Sequence, residues 1–434
     1  MKIAFYTFGC KVNQYETQAL RQQFAAQGWE VLEFDHQGGW DAVVVNSCTV
    51  TAEGDRKTRQ LLRRLRREHP GAAICLTGCF PQAFPGPASA IQEADVVTGS
   101  KDRQGLSDAL DRFLSTGERV VDIRPHQPGE GFEAIAPVRE FGRRTRAFVK
   151  IEDGCENFCA YCIIPTARGP VRSKPMAALQ SELEALARSG YQEVVLAGIN
   201  LSAYGREWGG RLIDAIEAAA ATPGLRRVRL GSLEPDVIGP EDFSRMAAAG
   251  KVCPQFHLSL QAGCDATLQR MGRRYDTAHY LSSVEEIRRR FPQAAITTDL
   301  MVGFPGETEG DFLESVAFAR KVGFAKIHVF PYSPRPGTVA AGMAGQLPPE
   351  EKRRRAAELI AAGEVLRREF LEGMAGTTQE VLFEEGGPGG QEGYTANYTP
   401  VVVPEIQDLR GRMERVVIDG LAPGEGQLLG HLAE

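Results

Sequence analysis

The middle of the chain alternates short apolar runs with helix-like sequence, and this alternation limits the folds that it can adopt. The six runs read RAFVKIEDGC, EVVLAGIN, RRVRLGSLEP, QFHLSLQAG, AITTDLMVGFPGE and KIHVFPYSPRPGT. Strands that alternate with helices form parallel sheets, so these repeats predict a partial parallel (β/α)6 barrel. The chemistry of such barrels lies at the C-terminal ends of the strands. The residues expected there are Cys155, Asn200, Glu234, Gln261 and Gly303.

Different patterns flank the predicted barrel. Before it, the strand-like runs KIAFYTFGC, WEVLEFD, DAVVVNSC and AAICLTGC alternate with predicted helices at 13–27 and 51–69, which predicts a doubly wound parallel sheet. A Pro- and Gly-marked stretch, 124–137, is expected to be a linker. After the barrel, short alternating strands and turns such as GGPGG are typical of a small antiparallel β-barrel. We predict three domains, at 1–123, 138–370 and 371–434.

Composition narrows the classes of function. The net charge of −6 argues against a strongly basic nucleic-acid binder, although the basic residues are unevenly distributed. The start of the chain has no charged leader followed by an apolar core, and no apolar run approaches the roughly 20 residues of a membrane span. We therefore expect a cytoplasmic protein with no membrane partner. In a reducing compartment, nine cysteines favour metal binding or catalysis over disulfides.

The segment GCENFCAYCI carries the strongest chemical signal. Cys155, Cys159 and Cys162 have the spacing C-x3-C-x2-C directly after a predicted strand. A loop this short can bind three irons of a 4Fe–4S cluster and leave the fourth iron without a protein ligand. The amino and carboxylate groups of S-adenosylmethionine (SAM) can chelate such an open iron. The alternative is structural zinc, which prefers four closed ligands in C-x2-C pairs, and no second pair lies nearby.

A second triplet is dispersed along the N-terminal block. Cys10, Cys48 and Cys79 each end a predicted strand, and parallel strands bring these ends to one edge of the sheet, where open α/β folds bind their ligands. Three thiolates there could hold a second cluster with one open iron. Buried cysteine is also a common core residue. We assign that role to Cys75, inside the strand AAICL, and regard Cys253 and Cys264 as incidental.

These motifs together resemble one family. TFGCKVNQYE, VVNSCTVT and LTGC are similar, in order, to the three cysteine motifs of the methylthiotransferase family of radical SAM enzymes. GCENFCAYCIIP resembles the radical SAM loop of that family. LAGIN, GSLEP, LSLQAG and TTDLMVGFPGET also match, and the C-terminal strands resemble its RNA-binding TRAM domain. The resemblance covers essentially the whole chain.

The resemblance implies a transferase that puts a methylthio group on carbon 2 of a modified adenosine in tRNA. The C–H bond at carbon 2 is unactivated and resists acid–base chemistry, so a radical is needed to open it. The resemblance implies that the cluster at Cys155, Cys159 and Cys162 produces this radical by cleaving one SAM. The cluster at the N-terminal triplet carries or delivers the sulfur, and a second SAM methylates it. Two 4Fe–4S clusters, SAM, tRNA and an electron donor such as flavodoxin or ferredoxin are therefore the expected cofactors and partners.

Contacts with SAM are also implied by the resemblance. Tyr161 occupies the place of a residue beside the SAM adenine, with loop packing as the alternative. Asn200 stands where related enzymes carry a glycine–glutamate motif, and LAGIN departs from that motif. The remaining candidates are Ser232, Glu234 and Gln261 for the ribose or methionine portion and Gly303 for close backbone approach to the adenine. The alternative for each is a polar group satisfied at a barrel rim, and for Asp299 a buried structural role.

The first cysteine motif distinguishes branches of the family. GCKVNQYE resembles the MtaB type, which acts on threonylcarbamoyladenosine in tRNA. The isopentenyladenosine branch usually shows a GCQMN-like motif, and the branch acting on an aspartate of a ribosomal protein a GCPKN-like motif. LSLQAGCDATLQRMGRRY and GYTANY also look like the MtaB type. The other two branches are the alternatives.

Three basic runs could contact RNA phosphates. They are 56–67, 139–150 and 352–355. For the first run, a solvated helix face is the competing interpretation, with Leu61, Leu62 and Leu65 on the buried side.

Two other classes of protein are alternatives. A cobalamin-dependent radical SAM methyltransferase should carry Asp-x-His-x-x-Gly, whereas DHQGG at 35–39 has the wrong spacing. An RNA-binding module with structural metal would not need the open-iron loop.

Overall fold

The computed structural model describes residues 1–133, 137–142, 144–387, 390–405, 407–424 and 426–433. Parts of three predicted features lie outside these residues: 134–136 of the linker, Arg143 of the second basic run, and Pro388 and Gly389 of the GGPGG turn. Within the described ranges, none of the helices combines the length and hydrophobicity that a membrane span requires.

The N-terminal domain is a doubly wound parallel sheet, as predicted. Its strands run in the order β2-β1-β3-β4-β5-β6. They are β1 (Lys2–Thr7), β2 (Glu30–Leu32), β3 (Ala42–Ser47), β4 (Ala73–Gly78), β5 (Val96–Thr98) and β6 (Val120–Asp122). The helices are α1 (Lys11–Ala26), α2 (Ala52–Glu68), α3 (Cys79–Ala83), α4 (Pro85–Ser89) and α5 (Gly105–Thr116). Separate apolar clusters cover the two faces, because alternate residues of each strand point in opposite directions.

Helix α2 shows why the first basic run is helical. Thr51 accepts a hydrogen bond from the backbone N–H of Gly54 at the helix N-terminus. Leu61, Leu62 and Leu65 lie on the buried face, as predicted. Several arginines of the run face solvent and pair with acidic residues of their own helix. These arginines therefore form a solvated face of helix α2.

The barrel contains the predicted series of parallel strands, arranged as β7-β10-β11 and β12-β13-β14-β15. The strands are β7 (Arg146–Lys150), β10 (Glu193–Ala197), β11 (Arg227–Leu230), β12 (Ser232–Leu233), β13 (Gln255–Leu258), β14 (Ala295–Val302) and β15 (Lys326–Pro331), with a small hairpin of β8 (Glu152–Asp153) and β9 (Arg172–Ser173). The helices are α6 (Ile164–Arg168), α7 (Met176–Arg188), α8 (Leu212–Ala221), α9 (Pro240–Ala248), α10 (Asp265–Arg270), α11 (Thr277–Arg290), α12 (Glu309–Val322) and α13 (Pro349–Glu372).

One predicted barrel strand is divided in the structure. RRVRLGSLEP forms β11 and β12, with the break at Gly231. The N–H of Gly231 still bonds to the carbonyl of Leu196 in β10, whereas the carbonyl of Leu233 accepts from Ser259, which follows β13. The chain therefore leaves one sheet and joins the next within three residues, which bends the wall of the barrel.

The C-terminal domain is a closed five-stranded barrel in the order β16-β17-β18-β20-β19. Its strands are β16 (Thr378–Gly387), β17 (Gly390–Thr395), β18 (Pro400–Val403), β19 (Met413–Leu421) and β20 (Leu428–Leu432). Strands β18 and β20 are parallel, so the prediction of a purely antiparallel barrel was wrong for this pair. One edge of β19 pairs with β16 and the other with β20. The free edge of β20 then pairs with β18 and closes the barrel. EGYTANYTPVVVP forms two strands, with Tyr398 at φ 67° in the turn between them.

The stretch predicted as a linker contacts both domains that it joins. Glu133 forms an ion pair with Arg103 of the N-terminal domain, with nitrogen and oxygen 2.5 Å apart. Lys150 and Lys174 of the barrel each lie 5.6 Å from the centre of the Phe132 ring. These contacts fix one end of the stretch between the N-terminal sheet and the barrel.

A buried cluster of charges joins helix α1 to the barrel. The Glu16 side chain is fully buried, and its Oε1 lies 2.7 Å from Lys150 Nζ, 2.5 Å from an Arg168 nitrogen and 2.6 Å from an Arg103 nitrogen. Asp153 pairs with Lys150 at 2.6 Å. Burial acts to raise the pKa of Glu16, but Arg103, Arg168 and Lys150 outweigh it and hold the pKa at about 2. Glu16 is therefore ionised and neutralises cations from both domains.

We expect Glu16→Gln to lower the free energy of unfolding by about 3–5 kcal/mol, since it leaves buried cations without their counter-ion. Because the folded pKa lies below the ordinary value of 4.5, the contribution of Glu16 is complete above pH 4.5 and is lost as the pH falls towards 2. Urea unfolding followed by circular dichroism at several pH values measures both effects. The matched control is Glu53→Gln, which removes an exposed partner of Arg56 and should leave the urea concentration at the unfolding midpoint unchanged. Equal midpoints for Glu16→Gln and Glu53→Gln would contradict the expectation.

Candidate active site between two cysteine triplets

The first triplet lies on a loop that is anchored to the barrel at several points. The N–H of Cys155 bonds to Gly169 O at 3.1 Å, and that of Cys162 bonds to Cys159 O at 2.9 Å. The N–H of Ala160 reaches Met271 O, beyond helix α10, at 2.9 Å. The loop is thus held by its own backbone and by the opposite side of the barrel.

Arg273 reaches the thiols of this loop. One of its nitrogens lies 3.2 Å from Cys159 Sγ, and its side chain is only 3% exposed. Burial raises the pKa of Cys155 to about 11 and that of Cys162 to about 12. Without a metal, Cys155 and Cys162 would therefore be neutral thiols, and a cation or metal is needed to stabilise their thiolates.

The second triplet gathers at the C-terminal edge of the N-terminal sheet. Cys10 follows β1, Cys48 follows β3, and Cys79 follows β4 directly; these three strands are adjacent and parallel. Gly9 allows the close approach, since it has φ +107° and a Cβ on it would lie 2.9 Å from Cys48 Cβ. The predicted convergence of strand ends is therefore observed.

Arg168 connects the two triplets. Its Nε donates to Cys79 Sγ at 3.2 Å, and another nitrogen donates to Asn13 Oδ1 at 2.9 Å. Cys10 Sγ also lies 3.4 Å from Asn13 Oδ1. Arg168 ends helix α6, which begins two residues after Cys162. One buried guanidinium thus links the N-terminal thiols to the segment that follows the first triplet.

The burial of the remaining cysteines is consistent with this grouping. Cys75, Cys253 and Cys264 are at most 2% exposed, as expected for core residues. Among the described residues, no group of three His, Cys, Asp or Glu side chains is arranged to hold a single metal ion. The thiolates of a 4Fe–4S cluster bind different irons, so they stand farther apart than the ligands of one ion.

Three of the predicted SAM contacts surround the first triplet. Tyr161 Oη lies 3.4 Å from an Arg273 nitrogen, and Glu234 forms an ion pair with the same guanidinium. Burial raises the pKa of Glu234, and Arg273 opposes the increase. Asn200 Nδ2 lies 3.8 Å from Cys155 Sγ. Within the described part of the chain, Asn200 Oδ1 is buried and has no hydrogen-bond partner, so it could accept a bond from a ligand.

The other predicted contacts have distinct surroundings. Gln261 has φ 70°, an uncommon backbone conformation for a residue other than glycine and one that often marks functional sites. It is held there by hydrogen bonds to Asp299 and Met301. Gly303 has φ +72°, and a Cβ on it would lie 2.5 Å from Lys352 Cγ. Glycine is therefore required there by the packing of helix α13.

A cavity of about 1110 Å³ extends from the second triplet through the barrel to the C-terminal domain. Its lining includes Cys10, Lys11, Ser232, His257, Asp299 and Tyr398. Asp299 has a side chain 36% exposed and lies 3.4 Å from His257, so it faces this space. The cavity is large enough for a nucleoside and opens directly at one of the thiols.

Sequence reasoning missed Asn13, Arg168 and Arg273. Asn13 lies inside the first cysteine motif, GCKVN, and its position three residues after Cys10 was a usable signal. The two arginines lie within the segments ARG (167–169) and GRR (272–274), which have no distinctive spacing. Only the tertiary fold shows which arginines reach a thiol.

Known proteins are similar to the chain over both of its larger domains. Residues 149–319 match the Radical SAM superfamily, and residues 2–99 match uncharacterized protein family UPF0004. The chain is 35% identical to the threonylcarbamoyladenosine tRNA methylthiotransferase MtaB of Bacillus subtilis strain 168, covering 98% of this chain and 96% of that protein. The chain belongs to the tRNA methylthiotransferase family of radical SAM enzymes. This methylthiotransferase is a transferase that uses SAM and two 4Fe–4S clusters.

Relatives with two different names align over most of the methylthiotransferase chain. The MtaB of Thermotoga maritima is 36% identical over 87% of this chain and 85% of that protein. The tRNA-2-methylthio-N(6)-dimethylallyladenosine synthase of Pelotomaculum thermopropionicum is 32% identical over 96% of this chain and 95% of that protein.

Solved radical SAM enzymes share the fold of the methylthiotransferase. The methyltransferase TsrM of Kitasatospora setae, with tryptophan and a SAM analogue bound, has a TM-score of 0.57 over 89% of this chain and 79% of that chain, at 16% identity. The cobalamin-dependent enzyme OxsB has a TM-score of 0.52 over 84% of this chain and 56% of that chain, at 10% identity. At these identities the likeness concerns the fold alone.

Proposed function

We propose that this methylthiotransferase places a methylthio group on carbon 2 of N6-threonylcarbamoyladenosine next to the anticodon of tRNA. The observation that carries the proposal is that Arg168, in the helix after the first cysteine triplet, contacts Cys79 of the second triplet, whose Cys10 lines a cavity of about 1110 Å³. The MtaB relatives, which align over most of the chain, support this substrate. Isopentenyladenosine in tRNA and an aspartate of a ribosomal protein are the alternative substrates.

Each triplet would bind one cluster. Cys155, Cys159 and Cys162 would hold the cluster that binds SAM at its open iron, and the N-terminal triplet, Cys10, Cys48 and Cys79, would hold the second. When bound, the clusters and SAM supply the one-electron chemistry, the sulfur and the methyl group. Arg273 and Arg168 would each donate hydrogen bonds to a thiolate, which offsets the cost of burying negative charge.

Side chains at the strand ends would orient SAM. The unpaired Oδ1 of Asn200 would accept a hydrogen bond from the SAM amino group, although LAGIN lacks the usual glutamate. Arg273 holds Glu234 and Tyr161 on one side of the first triplet, where they would contact the sugar and the adenine. Ser232 and Gln261 would bind the ribose or methionine portion, and the backbone at Gly303 would pass close to the adenine.

Each of the three predicted domains would have its own role. Residues 1–123 would supply the second cluster, 138–370 would bind SAM, and 371–434 would bind RNA. Where the C-terminal domain meets the barrel, Arg146 lies 4.8 Å from the ring centres of both Tyr394 and Tyr398. Both tyrosines line the cavity, so a base entering there would meet aromatic and cationic groups. A cytoplasmic flavodoxin or ferredoxin would supply electrons.

The enzyme reconstituted without oxygen should methylthiolate tRNA that carries threonylcarbamoyladenosine. The assay contains SAM and a reductant, and mass spectrometry of digested nucleosides detects the gain in mass. Cys10→Ala and Cys159→Ala should each abolish the gain, because each removes a ligand of one cluster. The matched control is Cys264→Ala, which removes a buried thiol outside both triplets and should retain activity.

Other outcomes of this assay would change the proposal. A gain only on isopentenyladenosine tRNA would keep the mechanism and overturn the branch. No gain on either tRNA, with eight irons per chain confirmed, would make the ribosomal protein the next substrate to test.

We expect Arg273→Met to shift the reduction potential of the first cluster to more negative values, because hydrogen bonds to cluster sulfurs stabilise the reduced state. Redox titration followed by electron paramagnetic resonance, in the Cys10→Ala background to isolate this cluster, measures the shift. Arg274→Met is the matched control, since Arg274 is exposed beside it. Equal potentials in the two variants would contradict the role given to Arg273.

A further inference from the structure

Lys11 is a cation without an acidic partner in the wall of the cavity. It is the first residue of helix α1, directly after Cys10, and its side chain is exposed in the space that Cys10 also lines. Its ionisable neighbours are Arg229, Arg146, His328 and Cys10. No carboxylate of the described residues forms an ion pair with its ammonium group.

The other charges around the cavity already have partners. Arg229 pairs with Glu193, and Arg146 pairs with Glu384, each at 2.7 Å. Of the carboxylates that line the space, Asp299 lies 3.4 Å from His257. The other, Glu364, interacts with Lys326. Arg367, another cation of the described lining, donates to the carbonyl of Gly426 at 2.6 Å. The Lys11 ammonium therefore remains available to an anion that enters with the substrate.

The chemistry of the proposed substrate matches this position. The threonylcarbamoyl group is attached at N6 of adenine and ends in a carboxylate. Carbon 2 and N6 flank N1 on the same edge of the ring, so the substituent lies on the side of the base to which the sulfur must come. A cation adjacent to Cys10 is therefore near the carboxylate when carbon 2 is near the second triplet.

We propose that Lys11 binds the carboxylate of the threonylcarbamoyl group and so selects this nucleoside, an inference that rests on the proposed function. A charge-assisted hydrogen bond to this carboxylate forms only with a substrate that carries the acid.

The test compares two anticodon stem-loop RNAs with the reconstituted enzyme. One carries threonylcarbamoyladenosine, and the other carries the same nucleoside with the carboxylate converted to a neutral carboxamide. Fluorescence anisotropy gives the dissociation constants, and methylthio gain gives kcat/KM. We expect the wild-type enzyme to favour the acid by about 10- to 100-fold. Lys11→Met should bring the ratio close to one, and Lys11→Arg should retain part of the preference.

The controls separate this contact from a structural or phosphate contact. Lys57→Met removes an exposed lysine of helix α2 and should keep the wild-type ratio. Iron content should be unchanged in Lys11→Met, which shows that the enzyme is folded and carries its clusters. If Lys11→Met raises the dissociation constants of both RNAs by the same factor, Lys11 contacts phosphate or supports the fold, and the proposal is overturned. An unchanged ratio also overturns it.

The proposed function fails in a different way. It fails if the wild-type enzyme adds no methylthio group to the acid RNA, whatever the binding shows. The inference stands if binding favours the acid RNA in a Lys11-dependent way.

Discussion

The ion cluster around Glu16 fixes the relation between the two domains that carry cysteines. Helix α1 begins immediately after Cys10 and carries Glu16 on its buried side, against Lys150 and Arg168. Moving these charges out of water costs several kcal/mol for each ion, and only close opposite charges offset that cost. The helix therefore has one favourable position on the barrel. That position sets where Cys10 and Lys11 lie relative to the loop of Cys155, Cys159 and Cys162.

The solved structures with the same fold show why the fold alone does not identify the chemistry. TsrM and OxsB are described as a methyltransferase and a cobalamin-dependent enzyme, and their chains superpose on this one at TM-scores of 0.57 and 0.52. A parallel sheet can present different ligands at the same edge, because loops after the strands vary independently of the core. In this chain the edge carries Cys10, Cys48 and Cys79, and DHQGG at 35–39 does not have the spacing of a cobalamin motif.

Local patterns in the sequence were sufficient for most of the longer strands, the order of the domains and the convergence of strand-end cysteines, but not for β5 and β6 of the N-terminal sheet. The periodicity of apolar residues and the ends of strands depend on residues that are close in sequence, so they can be predicted from the sequence alone. The division of a strand at Gly231 and the parallel pairing of β18 with β20 depend on which strands lie alongside. The contacts of Arg168 with Cys79 and of Arg273 with Cys159 join residues 89 and 114 positions apart. Only the three-dimensional packing distinguishes these two from the other arginines.

The walls of the cavity come from both ends of the chain, from Cys10 to Tyr398. During synthesis the N-terminal sheet and its thiols leave the ribosome long before the C-terminal barrel exists. The cavity is therefore open on one side throughout most of translation and is completed only when the last domain folds. The order of the domains along the chain thus makes the C-terminal domain the last wall of this cavity to form.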